Sequence, residues 1–234
     1  MSFAFPPAPI ITIPAMSSNP FPVRHIYCVG RNYAAHAKEM GSDPDREAPF
    51  FFMKSAQAIL SNQSVMPYPP ATADLQPEVE LVVALQSGGR NIAEDRADDR
   101  IFGYAVGLDM TRRDLQKVAK DHGRPWDMSK SFDGSAPISA ITPAFYAGII
   151  TKGKIELKVN GEIRQSGDLG DMIWRVPHII SALSKLVELH PGDLIFTGTP
   201  VGVGPVVSGD QLEATIAGLE PLLITIGQAL INPT

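Results

Sequence analysis

The sequence predicts a strand-rich α+β fold, and three observations carry that prediction. Short β-type runs dominate the hydrophobic pattern, only three stretches have helical spacing, and 20 glycines and 21 prolines punctuate the whole chain with turns. Strands and helices do not alternate, which excludes a βαβ series with a parallel sheet.

Taken in order, residues 1–22 are proline-rich and uncharged, and are expected to lie as an arm on the surface. Residues 23–234 are expected to form a single domain, since no compositional break or internal repeat divides them. Branched, aromatic and aliphatic runs place strands at Arg24–Val29, Glu78–Leu85, Phe102–Leu108, Lys154–Val159, Leu194–Thr197 and Leu212–Ile216. Helical spacing is found at Asn32–Met40, Thr111–His122 and Trp174–Leu189. Asn160-Gly161, set between Ile155–Val159 and Glu162–Gln165, is a two-residue hairpin signal. Pro191-Gly192-Asp193 is a turn that closes the third helix.

Composition removes several function classes. Twenty basic against 25 acidic residues give a net charge of −5 with no basic block, which argues against a nucleic-acid partner. The single cysteine, Cys28, cannot form an internal disulfide. The uncharged stretches 1–23, 134–151 and 194–209 are broken by proline or glycine, so none reads as a membrane span or signal peptide. A soluble, cytoplasmic protein is expected.

Chemistry concentrates in a few places. Glu78 and Glu80 lie within an apolar run, and on a strand positions i and i+2 share a face. Two adjacent carboxylates repel unless a cation lies between them; the plainer alternative is a solvent-facing strand end. Asp109 ends a second apolar run, where it could also cap a helix. Three carboxylates at strand ends suit an oxygen-ligated ion such as Mg²⁺ or Mn²⁺.

His36 and Glu39 lie three apart on the expected first helix, so the carboxylate can orient the imidazole for water activation; a solvated surface pair is the alternative. Lys130 sits in a polar Ser129-Lys130-Ser131 segment and could meet an anionic substrate or be an ordinary surface lysine. The glycine-rich Gly198–Pro205 stretch lacks the ending of a phosphate loop, but its backbone N–H groups and Thr199 could approach a carboxylate. No Gly-x-Ser-x-Gly elbow is present, which disfavours a serine nucleophile.

Set side by side, these segments resemble the fumarylacetoacetate hydrolase family. The resemblance rests on Tyr27-Cys28-Val29-Gly30-Arg31-Asn32-Tyr33-Ala34-Ala35-His36, Glu78-Val79-Glu80-Leu81 and Gly107-Leu108-Asp109-Met110-Thr111-Arg112-Arg113-Asp114-Leu115-Gln116. It continues through Arg124-Pro125-Trp126, Lys130-Ser131-Phe132-Asp133 and Pro191-Gly192-Asp193-Leu194-Ile195-Phe196-Thr197-Gly198-Thr199-Pro200. Each motif is weak alone; the ordered set, spanning residues 24–210, is specific. Two departures are visible: Ser55 follows Lys54 where many members have proline, and Pro77 precedes Glu78 where relatives often carry His or Tyr.

The resemblance implies a mixed β-sandwich or roll with a few helices, one catalytic domain over residues 23–234, and assembly as a homodimer. It implies that Glu78, Glu80 and Asp109 bind one Mg²⁺ or Mn²⁺ per subunit, and that His36 and Glu39 activate water from a lid segment. Lys130, Gln116 and Thr199 match positions that contact substrate oxygens, while Arg31, Lys54 and Arg113 are candidate cations for a distal carboxylate. The sequence is most similar to a bacterial branch assigned to fumarylpyruvate or acylpyruvate hydrolysis in gentisate-type aromatic degradation. The implied substrate is a 2,4-dioxo acid cleaved at C3–C4. Oxaloacetate decarboxylation or keto–enol tautomerisation at the same metal is the chief alternative. A catalytically silent binding protein on this fold is a third.

Overall fold

A computed structural model describes residues 3–33 and 48–229. The chain opens with the short strands β1 (Thr12–Ile13) and β2 (Phe21–Pro22), followed by β3 (Ile26–Val29) and β4 (Phe51–Lys54). Next come β5 (Ile59–Ser61), β6 (Ser64–Met66), β7 (Leu75–Gln76), β8 (Val79–Leu85), β9 (Ile101–Leu108) and β10 (Thr111–Arg112). Two helices, α1 (Arg113–Asp121) and α2 (Asp127–Lys130), lead to β11 (Ala136–Ile138), β12 (Thr142–Pro143) and α3 (Ala144–Ala147). The remainder is β13 (Lys154–Val159), β14 (Glu162–Asp168), α4 (Val176–Leu186), β15 (Leu194–Phe196), β16 (Gln211–Ile216) and β17 (Leu222–Ile226).

Two sheets organise the molecule. The larger has the order β4-β3-β15-β8-β9-β11-β5, with β12 also pairing to β9; the smaller runs β14-β13-β16-β17-β6. Both mix parallel and antiparallel pairs: β15–β3, β11–β5 and β17–β6 are parallel, whereas β8 is antiparallel to both neighbours. The fold is the strand-rich mixed architecture expected, with 36% of the described residues in strands against 19% in helices.

The central strand β8 is buried on both faces, which explains its nearly unbroken apolar sequence. Val79, Leu81, Val83 and Leu85 point into the main core, with β13, β16, β17 and α4. Val82 and Ala84 point the other way, into a second core built with Ile26, Cys28, Leu194 and Phe196. Each fully buried aliphatic side chain of this kind contributes about 1.5–3 kcal/mol. Because the period is two, Glu78 and Glu80 share the face of Val82 and Ala84.

Several expected elements shift at their ends. The hairpin over Asn160-Gly161 forms, with Val159 opposite Glu162. Thr111 and Arg112 are extended rather than helical, because they pair with Gln76 and Leu75, so α1 starts only at Arg113. The third expected helix is trimmed to Val176–Leu186: the Asn32 side chain binds the backbone of Trp174, and Leu189 pairs with Gly89. Asn32 and Tyr33 are not helical, and Tyr33 bridges Met172; the rest of the expected helix Asn32–Met40 lies outside the described residues. Residues 12–22 are tied into the body, since Ile13 and Phe21 are buried and Ile141 N–H donates to Pro14 O at 2.8 Å.

Candidate metal centre and substrate cavity

The site forms where three neighbouring strands end. Glu78 and Glu80 enter at the start of β8, Asp109 follows the end of β9, and Thr197–Thr199 follow β15. The register sets the meeting: Asp109 N–H donates to Glu78 O at 2.9 Å, and Glu80 lies opposite Gly107. Glu78, Glu80 and Asp109 are 6%, 1% and 0% exposed, and one oxygen from each lies within 4.8 Å of the others.

So many buried negative charges need compensation. Lys130 Nζ donates to Glu78 Oε2 at 2.9 Å, to Asp109 Oδ2 at 2.6 Å and to Thr111 Oγ1 at 2.6 Å. Lys54 Nζ pairs with Asp109 Oδ1 at 2.8 Å and also donates to the carbonyls of Met110 and Lys130. Arg113 pairs with Glu78 Oε1, while its other donors reach Gln76 at 2.8 Å and Gln116 at 2.6 Å. Burial lowers the proton affinity of Lys130, but Asp109 and Glu78 outweigh it and hold the ammonium charged.

Glu80 is the exception. It accepts the Gly198 N–H at 2.7 Å, yet burial first, then Asp109 and Glu78, push its carboxyl well above the usual range. Gly198 is left-handed at φ +98°, and a Cβ there would come within 2.7 Å of the Asn32 Cβ, so glycine is required where the backbone turns toward Glu80. A buried all-oxygen set of three carboxylates, one of them raised by the other two, fits a hard divalent cation such as Mg²⁺ or Mn²⁺.

A narrow cavity opens above the triad. Its walls include Arg31, Arg113, Gln116, Lys130 and Thr199, together with Glu78 and Glu80. The structure therefore brings together all the sequence-predicted residues it describes; Asp109 and Lys54, paired with each other, do not themselves line the cavity. His36 and Glu39 lie outside the described residues.

Two positioning residues escaped the sequence reading. Gln165, 1% exposed on β14, accepts from Val79 N–H at 3.0 Å and donates to Thr199 Oγ1 at 2.9 Å and Pro200 O at 2.8 Å. Asn32, fully buried, accepts from Trp174 N–H at 2.7 Å and donates to Trp174 O at 2.9 Å and Thr197 O at 2.7 Å. A polar residue on a strand with no local partner was the only signal for Gln165. Asn32 was legible only as part of its motif.

Comparison with known proteins agrees with this geometry. Residues 25–227 match the fumarylacetoacetate hydrolase C-terminal family model. A fumarylpyruvate hydrolase from Ralstonia is 44% identical over 192 residues, covering 81% of this chain and all of the relative. The mitochondrial oxaloacetate tautomerase of Homo sapiens is 45% identical over 196 residues, covering 84% of this chain and 88% of that protein. Among solved structures, a fumarylpyruvate hydrolase from Pseudomonas aeruginosa in complex with Mn²⁺ and pyruvate has a TM-score of 0.95 at 45% identity, covering 97% of this chain and all of that one. With the acid triad, its lysine and arginine partners and these relatives in agreement, the chain belongs to the fumarylacetoacetate hydrolase family.

Proposed function

We propose that this protein is an acylpyruvate hydrolase that splits fumarylpyruvate into fumarate and pyruvate. The observation that carries the reading is the buried triad Glu78, Glu80 and Asp109, opening into a cavity walled by Lys130, Gln116 and Arg31. The fumarylpyruvate hydrolase relatives support it. Glu78, Glu80 and Asp109 would hold a divalent ion, which would supply Lewis-acid charge to stabilise negative charge developing on the substrate's oxygens.

The chain's own groups do the rest. Glu39 orients His36, and His36 takes a proton from the water that attacks the 4-carbonyl. Gln116 receives Arg113 Nη1 on its Oε1, which leaves its amide NH₂ as a donor to the developing oxyanion. Lys130 adds its charge to the same end of the cavity. Thr199 Oγ1 donates to Val79 O at 2.8 Å and accepts from Gln165, so toward substrate it is an acceptor and the loop's backbone N–H groups are the donors. Breaking C3–C4 sends the electron pair to C3 of pyruvate, which takes up a proton. Of the candidate cations for the distal carboxylate, Lys54 pairs with Asp109 and does not line the cavity, whereas Arg113, paired with Glu78, and Arg31, with its guanidinium 5.6 Å from the Phe50 ring, both line it. The wider setting of this reading is a cytoplasmic homodimer working in aromatic degradation.

The test is loss of the enol ultraviolet absorbance of fumarylpyruvate with Mg²⁺, with Mn²⁺ and with EDTA. Metal-dependent loss with equimolar pyruvate and fumarate is expected, and no loss with either metal refutes the reading. A second reading, oxaloacetate tautomerisation or decarboxylation at the same triad, is favoured by the 45% identity to the tautomerase relatives. Decarboxylation needs no attacking water, so His36→Ala is expected to abolish cleavage of the dioxo acid and spare oxaloacetate turnover. Equal loss of both would show that His36 does not divide them.

A further inference from the structure

The cavity over the triad has only about 30 Å³ of open space, whereas an adjoining cleft has about 520 Å³. Phe52, Trp126 and Lys130 wall both, so the two spaces adjoin at these side chains. An acyl group that extends past Phe52 and Trp126 enters the cleft. The cleft beyond is walled by rings: Phe50 meets Trp126 edge-on at 5.4 Å, and Phe52 tilts against Trp126 at 5.9 Å. The Phe50 ring lies directly on Gly30, where any Cβ would fall 2.0 Å from it, so this wall is seated against the end of β3.

The charge of the cleft is equally informative. Its ionised groups among the described residues are Lys130 and Asp127. The Lys130 ammonium is turned into the triad, which leaves the cleft its aliphatic stem and the exposed Asp127 carboxylate. The arginines that line the cavity, Arg31 and Arg113, do not line the cleft. Along the cleft an anion meets Asp127, whereas a neutral flat group meets ring faces and edges.

We propose that this cleft is a second acyl-binding site, that it takes neutral planar acyl groups, and that the enzyme therefore also cleaves aroylpyruvates. The proposal rests on the acylpyruvate reading. For benzoylpyruvate, water adds to the 4-carbonyl, the C3–C4 pair leaves with pyruvate and is protonated at C3, and benzoate and pyruvate result.

The experiment measures kcat/KM for acetylpyruvate, benzoylpyruvate and 4-carboxybenzoylpyruvate in the Mn²⁺-loaded enzyme and in Trp126→Ala and Asp127→Lys. Wild type is expected to prefer benzoylpyruvate to its 4-carboxy analogue by about tenfold. Trp126→Ala is expected to lower the benzoyl-to-acetyl ratio by about tenfold. Asp127→Lys, at an exposed position, is expected to narrow the benzoyl-to-carboxybenzoyl preference by about threefold. Cleavage of acetylpyruvate but not benzoylpyruvate overturns the cleft proposal alone, as do ratios unmoved by Asp127→Lys. Cleavage of none of the three overturns the acylpyruvate reading along with it.

Discussion

Glu80 concentrates the electrostatic tension of the site. Lys130 and Lys54 serve Asp109, and Lys130 and Arg113 serve Glu78, while among the described residues Glu80 has the single backbone donor of Gly198 at 2.7 Å. Burial, Asp109 and Glu78 all favour its protonated form. Glu80→Gln removes one of three mutually repelling carboxylates and keeps an oxygen for the Gly198 N–H. The variant is therefore expected to melt no lower than wild type without metal, yet to lose at least about 100-fold in Mn²⁺ affinity by calorimetry. Unchanged Mn²⁺ binding would remove Glu80 from the ligand set. The carboxylates were legible from their two-residue spacing and apolar setting. The division of labour among Lys54, Arg113 and Arg31 was not, since it depends on which acid each cation meets after folding.

At the scale of elements, strands were more legible than their ends. β13 matches its expected range, and the Asn160-Gly161 turn is local chemistry that needs no distant partner. Thr111 and Arg112 left the helical pattern because Leu75 and Gln76, far away in sequence, offered them a strand partner. Asp168, which ends β14, shows how such an end is held: its carboxylate accepts N–H bonds from Gly170 at 2.7 Å and Gly153 at 3.2 Å. Those two donors, Gly170 first, hold its carboxyl below the usual range. A depressed folded-state pKa contributes stability that is present above the unfolded value of about 3.9 and is lost as pH falls through the folded value. Asp168→Asn is expected to melt below wild type at pH 6, with the difference closing as the pH drops under about 4. A gap independent of pH would mean that the charge is not what holds the turn.

At the scale of the whole molecule, the triad sits against the second core, at a point where β8, β9 and the segment after β15 converge with Lys130 from α2. An ion bound there ties together strands that otherwise hold three buried carboxylates in close contact. Mn²⁺ at about 100 times its dissociation constant adds about 2.7 kcal/mol, which for a domain of this size raises Tm by roughly 5–11 °C. EDTA is expected to reverse the rise, and Glu80→Gln to show none. A shift that persists in Glu80→Gln would place the stabilising ion elsewhere. Among the described residues no helix is long and apolar enough to cross a membrane, in keeping with the glycine and proline breaks in the uncharged stretches.

The sequence by itself determined the strand-rich class, the shared face of Glu78 and Glu80, the hairpin turn and the ordered motifs of the family. All of these depend on neighbours a few residues apart, where backbone periodicity and turn chemistry act directly. Tertiary structure alone decided that Lys130 reaches Glu78 across 52 positions, that Gln165 braces Val79 across 86, and that Lys54 faces Asp109 while Arg31 faces the cavity. It also built the aromatic cleft by bringing Trp126 against Phe50 and Phe52, which lie more than 70 positions before it. Such pairings follow from strand order and register, which burial of two sheet faces selects over the whole chain at once.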